Sequence, residues 1–462
     1  MPPKALPGFR DFYPAEFAVR AHILDTWRRV VRRYAFTEYD GPPLEPLELY
    51  TQKSGDEIVR QLYNFTDKGG REVALRPEMT PTFARMVAAR AQALRKPVRW
   101  FAVPQLFRYE RQQKGRLREH FQLNVDIVGE PDVLADAELL TVAIEICRAF
   151  GLTRDDFYAR VSDRRLLNAL LTHLTIEAAQ WPAVYAVLDK LERQPRDVSR
   201  DKLMQAGLSD SAVAAVLGFG AFDSVDALRA RFGHDAHVAV HLDRFAEYAE
   251  HLQALGVGAF LRLDLTIVRG LAYYTGIVFE LFDAQGEFRA ICGGGRYDNL
   301  LQALGGVDLP SLGFGMGDVV LGELLRARGK LADVVTPAAD CWIVPAEETP
   351  VAAVLSAAAA LRAADIAVEY TLSAERLRTR RANAQLKDAQ KAGAACALVF
   401  RDAQHANLVS LTGSGGGAAP AGDGRGAADS PSPSAPLLDT AAWARDGVPS
   451  DVLVAVQAAT GR

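Results

Sequence analysis

Cysteine is scarce in this chain, and long apolar runs are missing. Four cysteines, Cys147, Cys292, Cys341 and Cys396, occur in 462 residues, and none forms a CxxC pair. Neither a zinc knuckle nor a disulfide framework is indicated. The longest apolar run, Val351 to Leu361, is interrupted by Ser356 and falls short of the roughly 20 residues that span a bilayer. Met1 to Pro7 has no apolar core segment of the kind a signal peptide carries. The expectation is a cytoplasmic protein with no membrane partner. A strong positive charge is also missing: the net charge is −4, which excludes a protein that coats nucleic acid without selectivity but leaves room for local basic patches.

What is there suits a multidomain globular protein, with 49% hydrophobic and 24% charged residues. Ile23, Trp27, Val30, Val31 and Tyr34 recur at helical spacing with arginines between them, and the pattern stops before Gly41-Pro42-Pro43. A β-rich region covers about 60–130, and a helix is expected over Leu134 to Phe150. An Ala/Leu-rich helical stretch follows from Asp163 to Ala254, and β character returns from Phe260 to Cys292. After a break at Leu331 to Ala339, strands at Trp342–Val344, Val368–Tyr370 and Cys396–Phe400 alternate with helices at Val351–Ala364 and Arg376–Ala392, the pattern of a small α/β domain. Gly413 to Pro436 is rich in Gly, Ala, Ser and Pro without large apolar side chains, and reads as a disordered loop.

Four segments carry candidate chemistry. Val268-Arg269-Gly270-Leu271-Ala272-Tyr273-Tyr274-Thr275-Gly276 places one arginine and two tyrosines between glycines at the mouth of an apolar strand. That composition suits a small, anionic, polar ligand, although a turn with a solvated arginine and packed tyrosines has the same residues. Phe101–Glu110 and His120–Gly129 read as two strands joined by the basic stretch Arg111–Glu119. Phe121, Leu123, Val125 and Ile127 lie on one face of the second strand, and Gln122, Asn124 and Asp126 on the other. Asn and Asp are depleted in ordinary strands, which sets this polar face apart. Arg76-Pro77-Glu78-Met79-Thr80-Pro81 uses two prolines to restrict the backbone around Glu78 and Thr80. Gly293-Gly294-Gly295-Arg296-Tyr297-Asp298 permits close approach of a backbone or ligand, or is a flexible turn.

Together these pieces resemble the class II aminoacyl-tRNA synthetases, in the version of the histidyl-tRNA synthetase family. Arg76-Pro77-Glu78-x-Thr80 looks like the loop for the substrate amine. Phe107-Arg108-Tyr109-Glu110-Arg111-x-Gln113-Lys114-Gly115-Arg116 and Gln122-x-x-x-Asp126-x-x-Gly129 look like the second class signature and its return strand. Val268–Glu280 looks like the histidine-binding signature, Gly293–Asp298 also matches, and Pro42 resembles the dimer-interface motif. The resemblance implies an α+β catalytic domain on a mostly antiparallel sheet, residues 1–335, interrupted at about 160–255 by a helical insertion. A C-terminal α/β anticodon-binding-like domain would cover 338–462, with a disordered loop at 413–436.

The resemblance further implies that ATP, with Mg²⁺, and L-histidine are substrates, that tRNA(His) is charged, and that the chain forms a homodimer. Arg269 and Arg108 would be the catalytic cations. Arg108, Glu110 and Arg116 would bind ATP. Glu78, Thr80, Arg108, Gln122, Asp126, Arg269, Tyr273 and Tyr274 would bind histidine, with Asp126 and Tyr274 reading the ring nitrogens. The basic residues Arg380, Arg381 and Lys387 are expected to meet tRNA phosphates. No metal site in the protein itself is expected; the close spacing of His234, His237 and His241 lacks a carboxylate motif and reads as ordinary surface histidines.

The chain departs from the family at three places. The third class motif usually carries an arginine that stacks on adenine; Gly317-Asp318-Val319-Val320 has valine there. The position before Tyr273, often Asp, is Ala272, and the C-terminal domain carries the Gly/Pro insertion. Val320 leaves an alternative open: the histidine-sensing regulatory subunit of ATP phosphoribosyltransferase, which charges no tRNA. The retained tyrosines and the C-terminal domain oppose it.

Overall fold

The computed structural model describes residues 4–51, 60–110, 117–268, 274–332, 334, 336, 338–411 and 437–460. The chain divides into two units, Met1–Val335 and Thr336–Arg462.

The first unit is built on a sheet of nine strands among the described residues. They are β1 (Thr37–Glu38), β5 (Val98–Ala102), β6 (Gln105–Phe107), β7 (Glu119–Val128), β8 (Phe157–Asp163), β9 (Leu261–Leu263), β10 (Ile277–Asp283), β11 (Cys292–Arg296) and β12 (Ser311–Gly317). A small separate sheet holds β2 (Leu44–Pro46), β3 (Tyr63–Thr66) and β4 (Glu72–Leu75). The order in the large sheet is β1-β5-β7-β12-β11-β10-β8-β9, with β6 also on β7. Only the outer pairs β1/β5 and β8/β9 are parallel.

Period-2 alternation decides which face is which. Leu123, Val125 and Ile127 of β7, Phe279 and Leu281 of β10, and Phe314 and Met316 of β12 join one apolar cluster with Trp27, Val30 and Val31 of the helix Pro14–Arg33. The helix Val133–Ala149 adds Leu139, Leu140 and Val142 to it. Trp27, Val30 and Leu140 are fully buried, and each such side chain contributes about 1.5–3 kcal/mol of transfer free energy. The opposite face is left for the polar residues of β7.

Between β8 and β9 runs the helical insertion, from Arg164–His173 to Ala236–Ala254. Four of its helices start where a side chain accepts from first-turn N–H groups: Asp163, Ser209, Ser224 and Asp235. His234 and His237 are exposed there. No group of metal-ligating residues is found among the described residues.

Two local expectations are corrected. Phe101–Glu110 is two strands, because Pro104 has no N–H to give the ladder; its carbonyl instead accepts from Gln122 N at 3.1 Å. For Gly293–Gly295 the flexible turn falls and close backbone approach holds: they are the middle of β11, buried between β10 and β12.

The second unit has a five-stranded sheet in the order β14 (Val368–Glu369), β13 (Cys341–Val344), β15 (Cys396–Phe400), β16 (His405–Ser410), β17 (Leu437–Asp439). The first three strands are parallel, and β16 and β17 return antiparallel. One face packs Val354, Leu361, Trp443 and Val456, and the other packs Ala389 and Ala394. The single helix expected over Arg376–Ala392 is two, Ala374–Thr379 and Ala382–Lys391. Arg380 and Arg381 between them are extended, and the fully buried Gln385 amide donates to Arg380 O at 2.9 Å, fixing the break. Residues 413–436 lie outside the described residues. No described helix is long and apolar enough to cross a membrane.

Candidate active site

The polar face of β7 looks onto a floor of glycines. Gly313, Gly315 and Gly317 of β12 stand opposite Asp126, Asn124 and Gln122. Gly293 and Gly295 of β11 continue the same face, opposite Gly315 and Gly313. The omissions are required. A Cβ on Gly315 would lie 2.1 Å from Gln122 Nε2, and one on Gly313 would lie 2.1 Å from Asp126 Oδ1 and 2.9 Å from the Tyr297 hydroxyl. Real side chains do not approach so closely, so these glycines leave the room in which the Gln122 and Asp126 side chains lie across the floor.

Along β7 the side chains form a relay. Gln122 Nε2 donates to Asn124 Oδ1 at 3.0 Å, and the Gln122 Oε1 is 3.1 Å from His120 Nε2. With the Gln122 amide nitrogen committed to Asn124, His120 Nε2 is the donor and Nδ1 the bare acceptor. Burial, reinforced by the charge of Arg108, pushes His120 down to about 4. At the closed end of the slot, the Tyr297 hydroxyl donates to Asp126. Asp126 is pushed up to about 7 by burial, against the lowering effect of that hydrogen bond. Tyr274 is 7% exposed and packs in the same apolar cluster as Tyr297, Val278 and Phe83.

Above this floor, Arg108 and Glu110 enter from the end of β6 and line a cavity of about 590 Å³. Arg108 Nε donates to Pro77 O at 2.9 Å, which ties the cation to the segment carrying Glu78 and Thr80. Arg76 acts from below: its Nη1 reaches Asp40 Oδ1 and Gly41 O, both at 2.7 Å, and its Nε reaches Gln105 O at 3.1 Å. It therefore braces the segment beside Pro42. Glu78 is 8% exposed, and Thr80 heads the helix Thr80–Arg90. Glu280, Phe288, Arg289, Val319 and Val320 complete the cavity wall. Val320, the departure from the family pattern, thus faces the cavity.

The slot and cavity bring together Arg108, Glu110, Gln122 and Asp126 on one sheet face, with Tyr274 beside its closed end. Arg269, Tyr273 and Arg116 lie outside the described residues; Val268, next to Arg269, lines a smaller adjoining cavity with Arg160, Glu192 and Glu280. Arg380, Arg381 and Lys387 belong to the second unit, and Arg381 and Lys387 are exposed there. Three lining or contacting residues were not singled out by the sequence: His120, Tyr297 and Arg289. Tyr297 had a signal, since it follows the glycine run and matches the family pattern. His120 had a weaker one, its place on the polar face of β7. Arg289 had none.

Arg296, in that same glycine motif, is not a phosphate cation. It is 1% exposed and bonds Asp136 Oδ2 at 2.5 Å, Glu130 O at 2.9 Å and Asp132 O at 3.2 Å. It anchors the start of the helix Val133–Ala149.

A family profile described as Histidyl-tRNA synthetase matches residues 8–317. The histidine–tRNA ligase of Opitutus terrae is 45% identical over 413 residues, covering 88% of this chain and 93% of that protein. The chloroplastic/mitochondrial histidine–tRNA ligase of Arabidopsis thaliana is 41% identical over 333 residues, 72% of this chain and 67% of its own length. In fold, the chain is similar to the histidyl-tRNA synthetase of Nostoc, with a TM-score of 0.74, 24% identity, and 88% and 94% of the two chains covered. It is also similar to a Bacillus halodurans protein titled ATP phosphoribosyltransferase regulatory subunit/histidyl-tRNA synthetase, with a TM-score of 0.66, 22% identity, and 82% and 96% covered. These matches span the sheet, the insertion and the glycine floor together, and the chain belongs to the histidyl-tRNA synthetase family.

Proposed function

We propose that this chain activates L-histidine with ATP and transfers it to tRNA(His). The observation that carries the reading is the slot over the glycine floor, closed by Asp126 and Tyr297 and opening into a cavity that holds Arg108. A carboxylate oxygen of histidine attacks the α-phosphorus of ATP; the new P–O bond forms as the bond to the bridging oxygen breaks and pyrophosphate leaves. The terminal tRNA hydroxyl then attacks the activated carbonyl, and AMP leaves. Negative charge accumulates on phosphoryl oxygens, so positioned cations supply the catalysis.

In this reading Arg108 holds the α-phosphate, Arg269 bridges it to the substrate carboxylate, and Arg116 turns to the outer phosphates. Glu78, Thr80 and Gln122 take the substrate amine. Tyr273 joins them in the histidine pocket, and Asp126 and Tyr274 read the imidazole. A ring read at both nitrogens is a strong filter, because a wrong side chain leaves buried polar groups unpaired. Mg²⁺, which neutralises phosphate charge when bound, suits one or two carboxylates together with the phosphates themselves, and Glu110 and Glu280 of the cavity wall are such groups. The second unit is taken as the anticodon-binding domain. The active form is taken as a homodimer through the segment at Pro42, and the location as the cytoplasm, where tRNA and reduced thiols coexist.

Histidine-dependent ATP–pyrophosphate exchange, followed by charging of tRNA(His), tests the reading. Arg269→Ala should abolish exchange while leaving the fold intact; near-normal exchange in that variant would misplace the catalytic centre. The regulatory alternative draws on Val320 and on the fold shared with the Bacillus protein. It requires folded protein without exchange that raises the activity of a phosphoribosyltransferase partner.

A further inference from the structure

We propose that the chain seats the adenine of ATP with a set of its own: the His120 imidazole as stacking platform, Val320 and Phe288 as apolar walls, and the Arg289 guanidinium as the cover that an arginine at position 320 supplies elsewhere in the class. The inference rests on the ATP-dependent reading above. All four side chains line the same cavity as Arg108. Position 320 offers an apolar surface there and no charge, so the purine needs another planar partner.

His120 meets the requirements of a platform. It sits on the site face of β7, beside the bare Gly317, whose Cβ would be 3.9 Å from the imidazole Cδ2. The 3.1 Å contact to Gln122 fixes its orientation. Its neutral state keeps a second cation from crowding Arg108 and leaves a flat π surface.

Arg289 meets the requirements of a cover. It is exposed and follows Phe288, which packs against the main core. The connection that carries both is pinned by Asp283, which accepts from Gln285 N at 3.2 Å, Glu287 N at 2.8 Å and Arg328 Nη2 at 2.6 Å. Arg289 thus follows directly on a pinned turn at the cavity wall. A planar guanidinium stacks on an aromatic face in a way an ammonium does not.

The test is ATP–pyrophosphate exchange at varied ATP and varied histidine. Arg289→Ala and His120→Ala should each raise KM for ATP by about tenfold, the worth of one stacking partner, with KM for histidine within about twofold. His120→Phe, which keeps a flat ring but loses the contact to Gln122, should raise KM for ATP less than His120→Ala does, while Arg289→Lys should resemble Arg289→Ala. Adding Val320→Arg to Arg289→Ala should recover ATP affinity. Unchanged KM for ATP in folded Arg289→Ala, or no recovery in the double variant, overturns the clamp. If the wild-type chain shows no exchange, the ligase reading fails, and calorimetric titration with ATP then judges the clamp alone: weaker binding by Arg289→Ala supports it, and equal binding overturns it.

Discussion

The phenolic hydroxyl of Tyr297 donates a hydrogen bond to the carboxylate of Asp126 across a space left by Gly313. Two residues 171 positions apart in sequence thus form the closed end of the slot, and the pair gives the first prediction. Asp126→Asn keeps the size but replaces the carboxyl proposed to accept an imidazole N–H by an amide. KM for histidine should rise by about 10²-fold or more, while KM for ATP stays near wild type. Equal changes in both constants would show that Asp126 does not read the ring.

The same carboxyl predicts a pH dependence of stability. Burial pushes it up to about 7, well above the ordinary aspartate value, so the folded protein holds a proton that the unfolded chain releases. Its stabilising contribution is present below about 3.8 and is lost as pH rises through 7. Asp126→Asn carries no such loss. Urea unfolding from pH 5 to pH 8 should show the variant gaining on wild type as pH rises and levelling above about 7. Parallel profiles would contradict the burial argument.

Gly315→Ala tests the floor. The added methyl group would lie 2.1 Å from Gln122 Nε2, displacing that side chain and breaking its contacts to Asn124 and His120. A misplacement of this size costs about 10² in kcat/KM. The expected result is such a loss in exchange activity with cooperative unfolding retained. Wild-type kinetics would mean that Gln122 swings away without consequence.

Arg296→Met tests the buried ion pair. Removing one partner should destabilise the first unit by about 3–5 kcal/mol, because Asp136 is left buried with carbonyls that lose their donor. Arg296→Met/Asp136→Leu should recover part of it. Urea denaturation measures both, and equal stabilities for the two variants would refute the pair as a stabilising unit.

Reversing Arg380 and Arg381 to glutamate tests the basic junction in the second unit. Arg380 Nη2 pairs with Asp388 Oδ2 at 2.6 Å on the surface; such pairs are worth about 0–1 kcal/mol, so a phosphate can compete for the arginine. KM for tRNA should rise and its salt dependence flatten, with exchange activity unchanged. Charging kinetics that match wild type at several salt concentrations would remove these residues from the tRNA surface.

Much of this architecture was legible from period-2 and period-3.6 patterns. The apolar and polar faces of β7, the helix Val133–Ala149, the insertion and the α/β alternation of the second unit all follow from them. The glycine floor was not legible, since glycine disfavours strands and Gly293–Gly295 has the composition of a turn. Only the pairing of β11 with β10 and β12 makes it a strand, and pairing is not local. Arg296 and Asp136 are distant in sequence, so the arginine beside the glycines gave no sign that it was internal. The break at Arg380–Arg381 depends on where the buried Gln385 amide finds a carbonyl, which periodicity does not encode.

The floor has an evolutionary corollary. Gly293, Gly295, Gly313, Gly315 and Gly317 already carry the smallest side chain there is, so any substitution among them only subtracts room. The slot can be made shallower by one mutation but never deeper. A descendant that accepts a bulkier amino acid has to move the walls at Asp126, Tyr274 or Tyr297, the residues proposed to recognise the substrate. Selectivity against larger substrates is therefore protected by having nothing left to trim.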